Sequence, residues 1–233
     1  SEAALRSGAS LVAVGCHPDN LVMIANGRPE LMLAPLNNEP VSEQRFFKKA
    51  KWLLCGPGLG QDVWAQQLFE QLMQSDKPCV LDADALTLLA RAPRHRDNWV
   101  LTPHPGEAAR LLNCTVAEVE RDRFAAVREI NRQYGGICVL KGAGSLICQG
   151  EHIWLNTSGN SGMATGGMGD VLSGIIAALA MQLPTTIDAV RLAVFIHGVA
   201  ADIVANQSGK IGMLASDLFT VIQGLLNQES IAD

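Results

Sequence analysis

Asn156–Ala178 reads NTSGNSGMATGGMGDVLSGIIAA, with five glycines within eleven residues leading straight into an apolar helical run. This is the layout of an anion cradle. The N–H groups of Gly166, Gly167, Met168 and Gly169 can converge on a phosphate at a helix N-terminus, where the positive end of the helix adds to them. The run is not a Walker A loop, which needs GxxxxGK[ST]. Nor is it a dinucleotide GxGxxG following a first strand, because it lies late in the chain behind a hairpin. Both common nucleotide-binding folds lose ground. Asp170 closes the cradle either as a plain N-cap or as a general base beside a transferring phosphoryl group, and the glycine density favours the base.

Outward from this run, the upstream residues alternate between strand and helix patterns. Leu11–Gly15, Leu21–Ala25, Leu31–Ala34, Trp52–Cys55, Cys79–Ala83, Trp99–Thr102 and Ile137–Lys141 are short β-rich runs, several continuously apolar as in a doubly covered parallel sheet. Ser42–Lys49, Asp62–Gln74, Pro105–Asn113 and Thr115–Tyr134 carry helical spacing, with Ser42, Asp62 and Thr115 placed as caps. Two alternating runs around Gly150-Glu151 read as an edge hairpin, and three long helices follow to the C-terminus. The pattern predicts an α/β sandwich of βαβ units over residues 1–233, with no linker to divide it.

The 233 residues are 48% hydrophobic and 18% charged, which excludes a disordered or fibrous chain. Eighteen Lys+Arg against 23 Asp+Glu leave a net charge of -5, which argues against a protein that coats nucleic acid or anionic membrane. The longest nearly uncharged apolar stretch, Val171 to Leu183, falls short of the ~20 residues a membrane span needs. Six cysteines without CxxC spacing, most of them in apolar runs, predict buried reduced thiols and a cytoplasmic setting.

Further candidate residues fall at predicted strand ends, where α/β sheets bind ligands. Lys141-Gly142-Ala143-Gly144-Ser145 follows a buried strand and can face a nucleotide, or be an ordinary turn. LTPHPGEAARLL presents His104 and Glu107, the latter either complementing a helix dipole or holding Mg²⁺ through water. Asp82 and Asp84 in VLDADAL would add oxygen-rich surroundings for Mg²⁺-nucleotide chemistry, or cap the next helix. Gly56-Pro57-Gly58-Leu59-Gly60 is a tight loop that can admit a bulky ligand or simply turn. His197, within an apolar helical run, reads as a satisfied buried histidine. His17, His95 and His152 lack metal-ligand spacing, so no zinc site is expected.

Taken in order, VLDADAL, LTPHPGEAARLL, VLKGAGSLI and GNSGMATGGMGDVLSGIIAAL resemble the ADP/ATP-dependent NAD(P)H-hydrate dehydratases of the ribokinase-like superfamily. The resemblance runs through essentially the whole chain. It implies a three-layer αβα sandwich with a mainly parallel central sheet. The implied reaction is nucleotide-dependent dehydration of the S epimer of NADHX or NADPHX, with ADP or ATP as co-substrate and Mg²⁺ as cofactor. By motif, Lys141, Gly142, Ala143, Gly144, Ser145, Gly166, Gly167 and Gly169 would hold the adenine nucleotide. Gly58, Gly60, His104 and Asp170 would contact the hydrate, with Asp170 and His104 catalytic and Glu107 at the metal.

His104 stands where the wider superfamily has the Asn of an Asn-x-x-Glu element, a departure that fits the dehydratases. The family normally begins with a further strand, a Gly-rich turn and the start of a helix before AALRSGASLVAV. Either residues precede Ser1 or that first strand is absent. The resemblance also implies a homo-oligomer, a tetramer in many members, and a parent in which an epimerase domain is fused upstream. The same residues suit two rivals: a small-molecule kinase of the superfamily acting on a thiazole or pyrimidine alcohol, and a catalytically silent nucleotide-binding subunit.

Overall fold

The computed structural model describes residues 1–37 and 39–227. The chain opens with α1 (Glu2–Arg6), then β1 (Ala13–Cys16), α2 (Leu21–Gly27), β2 (Met32–Pro35) and α3 (Arg45–Lys49). β3 (Leu53–Cys55), α4 (Val63–Met73), β4 (Cys79–Leu81), α5 (Ala83–Arg91), β5 (Trp99–Leu101) and α6 (Pro105–Leu111) follow in strict alternation. Then come α7 (Val116–Arg121), α8 (Arg123–Tyr134), β6 (Ile137–Leu140), β7 (Leu146–Gln149), β8 (His152–Leu155), α9 (Met168–Leu179), α10 (Thr186–Ser208) and α11 (Leu218–Leu226).

β3 to β8 form one six-stranded sheet in sequence order, parallel as far as β6 and antiparallel through the β7–β8 hairpin. Their side chains sort by the two-residue period of a strand. Val80, Val100, Ile137, Val139 and Ile147 face a core built with α9, α10 and α11. Cys79, Leu81, Trp99, Leu101, Cys138 and Leu140 face a second core against the helices from α4 to α8. The result is a helix–sheet–helix sandwich. β1 and β2 stand apart from it as a separate parallel pair.

Asp62 and Thr115 cap their helices as the sequence predicts, accepting from the N–H groups of Ala65 and Glu118. Three expectations are corrected. Leu21–Ala25 is helical, not a strand: β1 and β2 are parallel neighbours, so the chain between them must cross over, and α2 is that crossover. None of its residues is buried, and Val22 and Met23 are exposed. Thr115–Tyr134 is two helices, because Asp122 leaves helical geometry (φ -146, ψ 84) and caps α8 through Ala125 N–H. Within Ser42–Lys49, a 3-10 turn over Val41–Glu43 gives way to α3 at an extended Gln44, and Ser42 is not its cap. All six cysteines are free thiols, five buried and Cys114 half-buried.

Candidate active site

Parallel strands align their carboxyl ends, so the residues after β3, β4, β5 and β6 share one edge of the sheet. Asp82, one residue past β4, is 1% exposed. One of its oxygens accepts from Lys141 Nζ at 2.8 Å and from Ala83 N–H, and the other from Ser173 Oγ at 2.7 Å. Burial opposes the charge on Asp82, but the Lys141 ammonium, with the Ser173 and Ala83 hydrogen bonds, outweighs it and holds the carboxyl below its usual range. The oxygen-rich Mg²⁺ environment expected of Asp82 and Asp84 is therefore not what the edge presents. Lys141 neutralises Asp82, and Asp84 turns away to receive Gly60 N–H at 2.9 Å and Gln61 Nε2.

His104 caps α6. Its Nδ1 accepts from the N–H groups of Gly106 and Glu107, and His104 N–H in turn donates to Glu107 Oε2 at 2.8 Å, a complete capping box. With Nδ1 an acceptor, the neutral ring carries its proton on Nε2, 3.3 Å from Glu107 Oε1. Burial lowers the pKa of His104, with the positive charges of Lys141 and Arg110 adding to it and the Glu107 carboxylate opposing them. Glu107 is buried and also lies 3.7 Å from Lys141 Nζ.

The glycine run arrives from the opposite layer. Gly167 is the N-cap of α9 at φ +87, and no side chain among the described residues caps the helix, so the N–H groups of its first turn are open to an anion. Asp170 is in that first turn rather than at the cap position. It reaches solvent, yet burial by the protein behind it and the charge of nearby Asp82 raise its carboxyl above the usual value, against the pull of Lys141. A Cβ on Gly169 would stand 3.0 Å from Lys141 Nζ, so the missing side chain is what lets the lysine reach across. The structure thus gathers Gly169, Asp170, Lys141, Asp82, Glu107 and His104. Gly58 and Gly60 border open space, and Gly60 N–H donates to Asp84.

Several participants were illegible in the sequence. The loop before the cradle is held by α10: Asp202 accepts from Gly159 N–H at 2.8 Å and Asn160 Nδ2 at 2.9 Å, and Ser158 Oγ donates to Phe195 O. A cleft of about 400 Å³ opens beside the cradle between Ser161–Thr165 and Lys210–Leu214, rimmed by the exposed Ile211 and Leu214. The glycines at 209 and 212 that flank Lys210 and Ile211 were the available signal. His197 is buried as expected but not satisfied, for its Nε2 has no partner among the described residues.

A helix–sheet–helix sandwich with an uncapped Gly-rich helix start meeting a strand-end lysine at the sheet's carboxyl edge defines the ribokinase-like class. The chain belongs to the NAD(P)H-hydrate dehydratase family, whose profile matches residues 1–224. It is 47% identical over 230 residues to the bifunctional NAD(P)H-hydrate repair enzyme of Vibrio cholerae, covering 97% of this chain and 46% of that protein. It is 37% identical over 238 residues to the ADP-dependent (S)-NAD(P)H-hydrate dehydratase of Neisseria meningitidis, covering 98% of this chain and 79% of that one. A Bacillus subtilis ADP/ATP-dependent NAD(P)H-hydrate dehydratase co-crystallized with ATP/Mg2+ superimposes with a TM-score of 0.85 at 28% identity, covering 96% of this chain and 81% of that one. The chain spans less than half the length of the bifunctional relatives.

Proposed function

We propose that this domain dehydrates the S epimer of NADHX or NADPHX at the expense of an adenine nucleotide, ADP in the first instance, and returns NADH or NADPH, AMP and phosphate. The observation that carries it is the placement of Asp170, a carboxylate of raised pKa in the open first turn of α9, beside Lys141. Family membership supplies the substrate class.

The terminal phosphate of the nucleotide sits against the N–H groups of Gly166, Gly167, Met168 and Gly169, and Lys141–Ser145 hold the rest of the phosphate chain. Lys141 stays oriented by Asp82 and Glu107. Asp170 takes the proton of the C6 hydroxyl as that oxygen bonds to phosphorus and the bond from phosphorus to AMP breaks. The ring nitrogen's lone pair then expels phosphate from C6, and loss of a C5 proton restores the dihydronicotinamide. Gly58 and Gly60 give the hydrate room. His104 contacts it as a donor through the Nε2–H that faces Glu107, and the C5 proton leaves to solvent.

One carboxylate of this edge, Glu107, fits Mg²⁺, which keeps several waters and takes one or two carboxylates together with substrate phosphates. When bound, it neutralises phosphoryl charge. Glu107, already engaged by His104 N–H, would hold it through water.

Bifunctional relatives support a parent with a fused epimerase domain. A homo-oligomer, a tetramer by family resemblance, and a cytoplasmic setting for six free thiols complete the proposal. Among the described residues no helix is long and apolar enough to cross a membrane.

Asp170→Asn tests the assignment. It should cut turnover by at least roughly a thousandfold while leaving ADP affinity within a few-fold, because it removes the base and keeps the cradle. A folded variant with near-normal turnover would remove Asp170 from this role.

A further inference from the structure

Arg123 begins α8 but spends its guanidinium elsewhere. Nη1 donates to Ala143 O at 2.6 Å, and Nη2 donates to Leu140 O and Lys141 O, both at 3.3 Å. Ser145 Oγ donates to the one remaining carbonyl of the turn, Gly142 O, at 3.3 Å. A trans peptide points its N–H opposite to its C=O, so engaging every carbonyl from 140 to 143 turns the following N–H groups the other way. Lys141 N–H bonds to Pro103 O at 2.8 Å. Those of Gly142, Ala143 and Gly144 have no hydrogen-bond partner among the described residues, and Gly142 and Ala143 are exposed. Successive free N–H groups in such a turn form an anion-binding concavity.

The arrangement is specific to arginine and glycine. A Cβ on Gly142, at φ +147, would stand 2.8 Å from Nη2. The Nε–H is buried without a hydrogen-bond partner among the described residues, with Glu120 Oε2 4.0 Å away, so the turn and not local pairing sets the side chain's pose.

We propose that Arg123 is a positioning residue for nucleotide phosphate: its planar fork holds the Lys141–Ser145 turn in the form that aims three N–H groups at the phosphates. It touches no substrate. Lysine keeps the charge but loses the fork, so it cannot reproduce the geometry. The proposal rests on the assignment of this turn to the nucleotide, and its test reads binding rather than turnover.

Arg123→Ala and Arg123→Lys are compared with wild type by calorimetry, titrating ADP with Mg²⁺ and, separately, adenosine. The expected result is a rise in the Kd for ADP of roughly tenfold to a hundredfold in both variants, with adenosine changed by less than about twofold. The ADP-induced shifts of the Gly142 and Gly144 amide resonances are lost in parallel. If Arg123→Ala does not fold, Arg123→Lys carries the comparison. Unchanged ADP affinity, or equal weakening of ADP and adenosine, overturns the proposal. Wild type that binds ADP but leaves the hydrate untouched overturns the dehydratase assignment and leaves the role of Arg123 standing. Wild type that binds no ADP overturns both.

Discussion

Lys141 and Asp82 show how much of this site depends on a pair separated by 59 positions in the chain. A buried carboxylate without its partner is costly, so each of the two makes the other tolerable at the sheet edge. His197 has no such partner among the described residues. Burial, with the charge of Lys141 adding to it, lowers its pKa to about 4. In the unfolded chain it titrates at its ordinary value, so between that pH and 4 the unfolded state takes a proton the folded state refuses. Stability therefore falls as pH drops through this window and levels off below it. Denaturant unfolding should show wild type losing about 2 kcal/mol between pH 7 and pH 5 from this residue, a loss absent from His197→Leu. Equal pH dependence in the two proteins would refute it. At this scale Asp170, Gly169 and Lys141 were picked out by the glycine density around them. The partners of Asp82 and Asp84 were not, since neither Lys141 nor Gly60 is near them in sequence.

At the scale of elements, apolar runs identified the sheet from β3 to β8, and caps such as Asp62 and Thr115 marked helix starts that the structure keeps. What failed was local: LVMIA suits either state in a run so short, and only the parallel pairing of β1 with β2 makes it a helix. Elements also fix one another at loops. Gly56, at φ +129 just after β3, lies so near the start of α5 that an added Cβ would collide with Asp82 O. Gly56→Ala should destabilise the domain by at least about 2 kcal/mol and shift the backbone carrying Asp82 and Asp84. Thermal unfolding with an unchanged midpoint would contradict that close approach.

Across the whole molecule the site belongs to no single layer. The sheet supplies Asp82 and Lys141 at its edge, one helical layer supplies His104 and Glu107, and the other supplies Gly169, Asp170 and Ser173. That meeting was readable only as a set of strand ends and one glycine run. The proposed function requires it to couple phosphate release to dehydration. The measurement that tests it most directly follows the near-ultraviolet absorbance of the dihydronicotinamide ring and inorganic phosphate together, with the domain, Mg²⁺, ADP and a mixture of NADHX epimers. The expected result is a rise in absorbance matched one for one by phosphate, ending when the S epimer is exhausted. Phosphate retained on the product, or no rise with ADP or ATP although the nucleotide binds, would contradict it.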